Sequence, residues 1–178
     1  VKGERDAMSV FERINVRGKP LSESDLIRHR LMSGCNQSDR GRLRSEWDSL
    51  EKLLGGQSAK IDSFLKHVWI SRNGERASSK LYDEISNYLD ETNISSMEFL
   101  EDIVNDCAIY TELLKPSSQL IHHESRESIR ITHATLAAKQ TLPLFLSAYR
   151  RFEKTPAFSK LALATEALII RYSYFADH

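Results

Sequence analysis

Residues 10–28 read VFERINVRGKPLSESDLIR, and this stretch predicts two helices joined by a tight turn. Apolar residues at helical spacing stop at Ile14, and Gly18 favours the end of a helix because glycine adopts a left-handed conformation without strain. Ser22 and Asp25 then match a capping-box pattern, which is typical of the first turn of a new helix. The stretch therefore indicates a helical fold.

The predicted turn carries three polar side chains that suit a phosphate ligand. Asn15 offers an amide donor and acceptor, while Arg17 and Lys19 offer positive charge. Polar residues are also common in turns without any ligand, because they bond to the local backbone and stay solvated. The chemistry of the turn therefore leaves two interpretations open, a phosphate contact and a plain turn.

The same stretch resembles a known protein family. Residues Phe11 to Asn15, Gly18 to Ser22 and Asp25 to Arg28 are similar to the second signature of the GmrSD-type restriction endonucleases. The N-terminal part of that family is the domain of unknown function 262, which has a ParB/sulfiredoxin-like fold. In the family, an Asp-Gly-Gln-Gln-Arg motif handles a nucleotide. A Phe-x-x-x-Asn motif and a long helical region follow, and many members end in an HNH nuclease domain.

The resemblance implies a nucleotide-dependent restriction protein that cuts modified foreign DNA in phage defence. The chain contains no Asp-Gly-Gln-Gln-Arg motif and no recognisable HNH set of His and Asn residues, and it begins at Val1. We therefore expect a segment of a longer protein that is not catalytic by itself. The resemblance places NTP and a divalent metal in the parent protein, with no cofactor held by this segment alone.

The resemblance also assigns site residues and partners. Asn15 is expected to orient a phosphate or the upstream loop, and Arg13, Arg17 and Lys19 to neutralise charge there. The partners are the upstream nucleotide-binding motif and the downstream nuclease domain of the same protein, with DNA as a further candidate. Two alternatives stay open: a non-catalytic helical interaction or dimerisation module that forms a homo-oligomer, and a module that binds DNA directly.

Apolar residues recur at three- and four-residue spacing along nearly the whole chain, which is typical of helices. Glycine or proline at residues 55–56, 74 and 116 marks breaks between them. We predict an all-α fold, a multi-helix bundle of about nine helices with short loops. One helix is expected over residues 125–139, although its β-branched residues are less typical of an α-helix.

The expected domain organisation follows from the resemblance together with this helical pattern. Residues 1–35 are expected to form the C-terminal end of a ParB/sulfiredoxin-like nucleotide-handling domain, and residues 36–178 a helical domain. The loop at residues 115–125 is the expected boundary if the helical domain has two lobes.

The composition fits a globular protein of one domain, with 40% hydrophobic and 28% charged residues among 178. The sequence has no apolar run of membrane-spanning length and no signal-peptide pattern, so we expect a cytoplasmic protein without a membrane partner. Cys35 and Cys107 have neither zinc-site nor disulfide spacing, and Cys107 is expected to be a buried thiol.

Charge is unevenly distributed although the net charge is zero. Residues 81–112 hold nine acidic residues and no Lys or Arg, so this block repels a DNA backbone. It fits either a solvated face or a face for a basic partner. Arg40, Arg42 and Arg44 alternate at a predicted helix start, where the helix dipole disfavours positive charge. We therefore predict a nucleic-acid contact at these three arginines.

Two other clusters invite a functional interpretation. His122, His123 and Glu124 offer metal-ligand groups, but adjacent side chains rarely converge on one ion, and we predict a surface loop without metal. Arg150 and Arg151 end a predicted helix. The helix dipole favours cations there without any ligand, although the pair also suits a phosphate contact.

Overall fold

A computed structural model describes residues 21–74, 80–116, 121–152 and 155–176 of the chain. Within these residues it contains eight α-helices, one π-helical turn, one 3-10 turn and no β-strand. In chain order the elements are α1 (Glu23–Gly34), α2 (Arg40–Leu53), α3 (Ser58–Asn73), α4 (Leu81–Thr92), α5 (Ser96–Leu114), α6 (His123–Arg130), the π-helical turn (Ile131–Thr135), the 3-10 turn (Lys139–Thr141), α7 (Leu142–Phe152) and α8 (Pro156–Ala176).

The all-α bundle with short loops that the sequence predicts is confirmed. The described ranges hold eight α-helices rather than about nine, and the helix predicted before residue 15 lies outside these ranges. Among the described helices, none is long and apolar enough to cross a membrane.

Local sequence signals set several helix ends. The backbone N–H of Asp25 donates to Ser22 Oγ at 3.2 Å, and the Asp25 carboxylate accepts from the Ser22 N–H at 3.1 Å. Ser95 and Glu98 form the same reciprocal pair at the start of α5. Each pair satisfies donors that the first turn of a helix leaves without backbone partners. Gly55 follows α2 with a φ of +80°, a conformation that favours glycine.

Helix α5 lies at the centre of the bundle and contacts α1, α2, α3, α6 and α7. One hydrophobic core runs through these helices, and its largest fully buried side chains include Trp47, Phe64 and Phe145. Trp69 is buried in the same core, and the burial predicted for Cys107 is confirmed. Helix α1 and helices on both sides of residues 115–125 share this core, while the predicted domain boundaries stay predictions.

The prediction of one continuous helix over residues 125–139 is wrong in its second half. Helix α6 ends at Arg130, a π-helical turn follows, and Ala137 has a φ of +52°. The Thr132 hydroxyl donates to the Ser128 carbonyl at 2.8 Å, and this type of bond competes with the regular backbone ladder. The wider π turn buries Thr132 and His133 side by side.

Candidate functional site

The predicted nucleotide site lies outside the described ranges. This holds for all four of its residues, Arg13, Asn15, Arg17 and Lys19. Their roles therefore stay predictions. Helix α1, which follows the predicted turn, is described, and its apolar face is buried through Ile27 and Leu31.

The first turn of α1 is fixed to two other helices by hydrogen bonds between backbone N–H groups and carboxylates. The N–H of Ser24 donates to Asp62 Oδ1 of α3 at 2.8 Å. The Glu23 carboxylate accepts from the N–H of Tyr82 at the start of α4, also at 2.8 Å. These bonds satisfy N–H groups in the first turns of α1 and α4 that have no acceptor within their own helix. The start of α1 is therefore held against both α3 and α4.

Two arginines attach the rest of α1 to its neighbours. Arg28 forms ion pairs with Asp48 at 2.6 Å and with Glu51 at 3.2 Å, both on α2. Arg30 pairs with Asp90 near the end of α4 at 2.7 Å. Partly exposed pairs of this kind add little stability individually, but they fix the direction in which α1 lies across the bundle.

The three arginines of the predicted nucleic-acid contact do not share one face. Arg42 reaches α5, where it pairs with Glu101 at 2.6 Å. Arg40 and Arg44 lie one helical turn apart and are exposed, and neither forms an ion pair within the described residues. Arg44 borders a shallow surface depression on α2 together with Asp48. Their contact with nucleic acid stays a prediction.

The main charged feature that sequence reasoning missed is a buried carboxylate between two guanidinium groups. Asp106 of α5 is 6% exposed. Arg72 of α3 donates to Asp106 Oδ2 through Nε at 3.0 Å and Nη2 at 2.7 Å. Arg150 of α7 donates to Oδ1 at 3.0 Å and to Oδ2 at 2.8 Å. We call Arg72, Asp106 and Arg150 the Asp106 cluster.

The Asp106 cluster accounts for the charge of Arg150 without a bound ligand. The Arg150 guanidinium also donates to Ser71 Oγ at 2.9 Å, so it faces the bundle rather than a phosphate. For Arg72, burial opposes the charged form, but the attraction and hydrogen bonds of Asp106 and Asp102 outweigh burial and raise its pKa. The cluster therefore fastens α3 and α7 to the central helix α5.

The acidic block at residues 81–112 is partly neutralised by arginines of other helices. Asp90, Glu101 and Asp102 have exposed side chains, and each is ion-paired. Asp106 is buried within its cluster. Four of the nine acidic residues are thus ion-paired within the chain, and a contact of the remaining ones with a basic partner stays a prediction.

A second feature absent from the sequence prediction is a buried histidine in the π-helical turn. His133 is 3% exposed. Its Nδ1 lies 2.9 Å from the Leu113 carbonyl oxygen, and its Nε2 lies 2.9 Å from Thr141 Oγ1. Because a carbonyl only accepts, the neutral ring carries its proton on Nδ1 and donates it to Leu113. The Thr141 hydroxyl has one hydrogen and two acceptors within reach, His133 Nε2 and the Ala138 carbonyl oxygen at 2.8 Å. His67 of α3 makes a similar contact with the Tyr110 hydroxyl at 3.0 Å.

Burial lowers the pKa of both histidines. At His67 the positive charges of Lys66, His133 and Lys139 lower the pKa further. At His133 the bond to the Leu113 carbonyl opposes the effect of burial without cancelling it. Both rings are therefore held in the neutral form more strongly than in the unfolded chain, where the ordinary pKa is 6.5.

We expect the free energy of unfolding to fall as the pH drops below about 6.5. There the unfolded chain takes up protons at His67 and His133 that the folded chain does not, and each histidine contributes at most about 1.4 kcal/mol per pH unit. Urea unfolding between about pH 7 and pH 5 measures the slope. His133→Gln should make the slope shallower, whereas His122→Gln at an exposed position should not. An unchanged slope in His133→Gln would contradict the prediction.

The remaining reactive groups are covered or separate. Burial, with a contribution from Asp106, raises the pKa of the Cys107 thiol to about 11, which disfavours the nucleophilic thiolate. His122 Nδ1 lies 3.9 Å from Glu124, and both side chains are exposed. No group of three or more His, Cys, Asp or Glu side chains is placed to hold a metal ion within the described ranges.

One cavity of about 240 Å³ lies between α3, α4 and α5. Its walls include the aromatic rings of Trp69, Tyr88 and Phe99, and Arg72 and Asp102 supply its charged groups. This volume is smaller than the roughly 300–1,000 Å³ of typical small-molecule sites. The described residues thus form an all-α bundle in which charged groups join the helices to one another.

The comparisons with protein-family models, curated proteins and solved structures found no match to this chain. Three features of the chain itself bear on its function: the attachment of α1, the Asp106 cluster and the exposed apolar surface of α8.

Proposed function

We propose that this chain is a non-catalytic helical segment of a GmrSD-like, nucleotide-dependent protein that restricts modified DNA in phage defence. The turn from Asn15 to Lys19 completes a nucleotide site whose main motif lies upstream. The helical body couples the nucleotide state to a downstream nuclease domain. The resemblance of residues 10–28 to the family signature supports this identity.

The attachment of α1 supports the coupling role. A nucleotide at the preceding turn would act directly on the first turn of α1, whose N–H and carboxylate groups bond to Asp62 and Tyr82. Because α1 is also paired with α2 through Arg28, a displacement of its start would be transmitted to three helices at once. A rigid helix between a ligand-binding turn and a packed bundle suits signal transmission better than chemistry.

We expect Asn15→Ala to lower NTP hydrolysis by the full-length protein at least about tenfold, because a phosphate would lose its orienting amide. The measurement is steady-state NTP turnover with and without modified DNA. The matched control is Asn36→Ala, which changes an exposed asparagine in the loop after α1. Thermal unfolding should be unchanged in both variants. Equal turnover in Asn15→Ala and wild type would overturn the nucleotide-site assignment.

A second variant separates coupling from nucleotide binding. Asp62→Ala removes the acceptor for the Ser24 N–H and loosens α1 without touching the turn. We expect basal NTP turnover to persist, while the stimulation of turnover by modified DNA decreases. If stimulation is unchanged, α1 does not transmit the signal, even where Asn15→Ala has confirmed the site.

A non-catalytic interaction or dimerisation module is the second candidate function. The observation that favours it is the C-terminal half of α8, where large apolar side chains are exposed to solvent. These are Leu168, Ile170, Tyr172, Tyr174 and Phe175. A contiguous group of exposed apolar side chains of this size commonly marks an interaction site. This candidate predicts that Asn15→Ala has no effect on turnover.

A further inference from the structure

Helix α8 leaves the bundle halfway along its length. Phe158, Ala162 and Thr165 are buried on the side that contacts α6, the π-helical turn and α7. Beyond Thr165 no described side chain of α8 is buried. A helix with apolar residues on all sides is normally covered, because water solvates such surface poorly. The projecting half of α8 therefore needs a partner.

One exposed stripe of α8 has the spacing of a coiled-coil seam. Leu163, Ala167, Ile170 and Tyr174 follow one another at intervals of four, three and four residues. This is the alternation of a and d positions in a heptad, with Leu163 and Ile170 at d and the other two at a. Leu163, Ile170 and Tyr174 are 56%, 46% and 65% exposed, so the stripe faces solvent rather than the core of the bundle.

The two charges beside the stripe indicate both the occupant and its orientation. With this heptad assignment Glu166 is at g of one heptad and Arg171 is at e of the next, five residues apart. In a parallel pair of identical helices, the g residue of one helix faces the e residue five positions further along the other. Glu166 would thus meet Arg171 of a second copy, and the twofold symmetry repeats the contact.

An antiparallel pair lacks this complementarity. It would bring g positions against g positions, and the neighbouring g residues, Ser159 and Ser173, carry no positive charge to match Glu166. The charges on α8 therefore favour the parallel arrangement. The buried face of α8 lies on the far side from the stripe, so a twofold axis along the helices keeps the two bundles apart.

We propose that α8 pairs with α8 of a second copy of this chain in a parallel two-stranded coiled coil along Leu163, Ala167, Ile170 and Tyr174, with ion pairs between Glu166 and Arg171 of opposite copies. The inference does not depend on the nucleotide-site proposal, because it uses only the surface of α8. A homodimer of this kind would place the two bundles side by side.

Sedimentation velocity of the 178-residue chain over a range of concentrations tests the pairing. We expect a reversible dimer, and Ile170→Asp should raise its dissociation constant at least about tenfold, because the charge would be buried in the seam. The matched control is Leu168→Asp, at an exposed apolar residue outside the stripe. Circular dichroism confirms that each variant is folded. A wild-type monomer at every concentration, or equal effects of the two variants, would overturn the proposal.

Charge reversal and cross-linking test the orientation. Glu166→Lys and Arg171→Glu should each weaken the dimer, and the double variant should restore it, because the pairs re-form with exchanged signs. Ala167→Cys should form a disulfide-linked dimer on oxidation, since a residue at heptad position a meets its own copy only in the parallel pair. The native Cys35 and Cys107 are buried, so they should not compete for this disulfide. Failure of the double variant to restore association, or of Ala167→Cys to cross-link, would overturn the parallel arrangement.

Discussion

Asp106→Asn should lower the free energy of unfolding by about 3 kcal/mol, although it changes only one atom of the side chain. The carboxylate accepts four hydrogen bonds from Arg72 and Arg150. An amide removes the negative charge and turns one acceptor into a donor that faces guanidinium donors. Arg150 then loses its carboxylate partner and Arg72 keeps only Asp102, so two partly buried cations share too little negative charge, and α3 and α7 lose their common anchor on α5.

Urea unfolding at neutral pH measures this loss, and Asp102→Asn is the matched control. Asp102 lies on the same helix as Asp106 and also pairs with Arg72. The Asp102 side chain is 55% exposed, so its replacement should lower the free energy of unfolding by less than about 1 kcal/mol. Adding Arg150→Met to Asp106→Asn should recover part of the loss, because one uncompensated charge is removed. If the two asparagine variants are equally stable, the cluster does not stabilise the fold in the way its geometry indicates.

Features that depend on neighbouring residues were predictable from the sequence. The capping boxes at Ser22 and Ser95 involve residues three positions apart, and short-range rules describe them fully. The burial of Trp47 and Cys107 follows from apolar spacing along single helices. Such signals act within one or two helical turns, so they are sufficient to predict the helices, several of their ends and their buried faces.

The charged contacts between helices were not predictable in this way. Asp106 meets its arginine partners across 34 and 44 residues of sequence, and no local pattern specifies which helices lie side by side. Arg150 illustrates the difficulty, because its position at the end of a helix already has a sufficient local explanation in the helix dipole. The π-helical turn was not predictable for a related reason, since it places His133 against the Leu113 carbonyl of another helix, a contact that no local pattern specifies.

The side chain of Phe145 joins three elements in the C-terminal half of the bundle. Its ring lies edge-to-face against His133 of the π-helical turn, with centroids 5.1 Å apart, and against Phe158 of α8 at 6.2 Å. Tyr149, one turn further along α7, makes a similar contact with Phe158 at 5.7 Å. Phe145 is fully buried, so its ring fills the space where α7, α8 and the π-helical turn meet.

We expect Phe145→Ala to lower the free energy of unfolding by about 4 kcal/mol, because it removes a buried ring and leaves a cavity that rigid helices cannot close. Phe145→Leu, which keeps most of the volume, should cost less than about 1.5 kcal/mol. The matched control is Phe152→Ala on the same helix, where the ring is 43% exposed and its loss should cost less than about 1 kcal/mol. Urea unfolding ranks the variants. Comparable losses in Phe145→Ala and Phe152→Ala would mean that α7 is not held by the aromatic contacts described above. A loss confined to Phe145→Ala is the result expected if the buried ring, which contacts His133 and Phe158, stabilises the packing of α7 against α8.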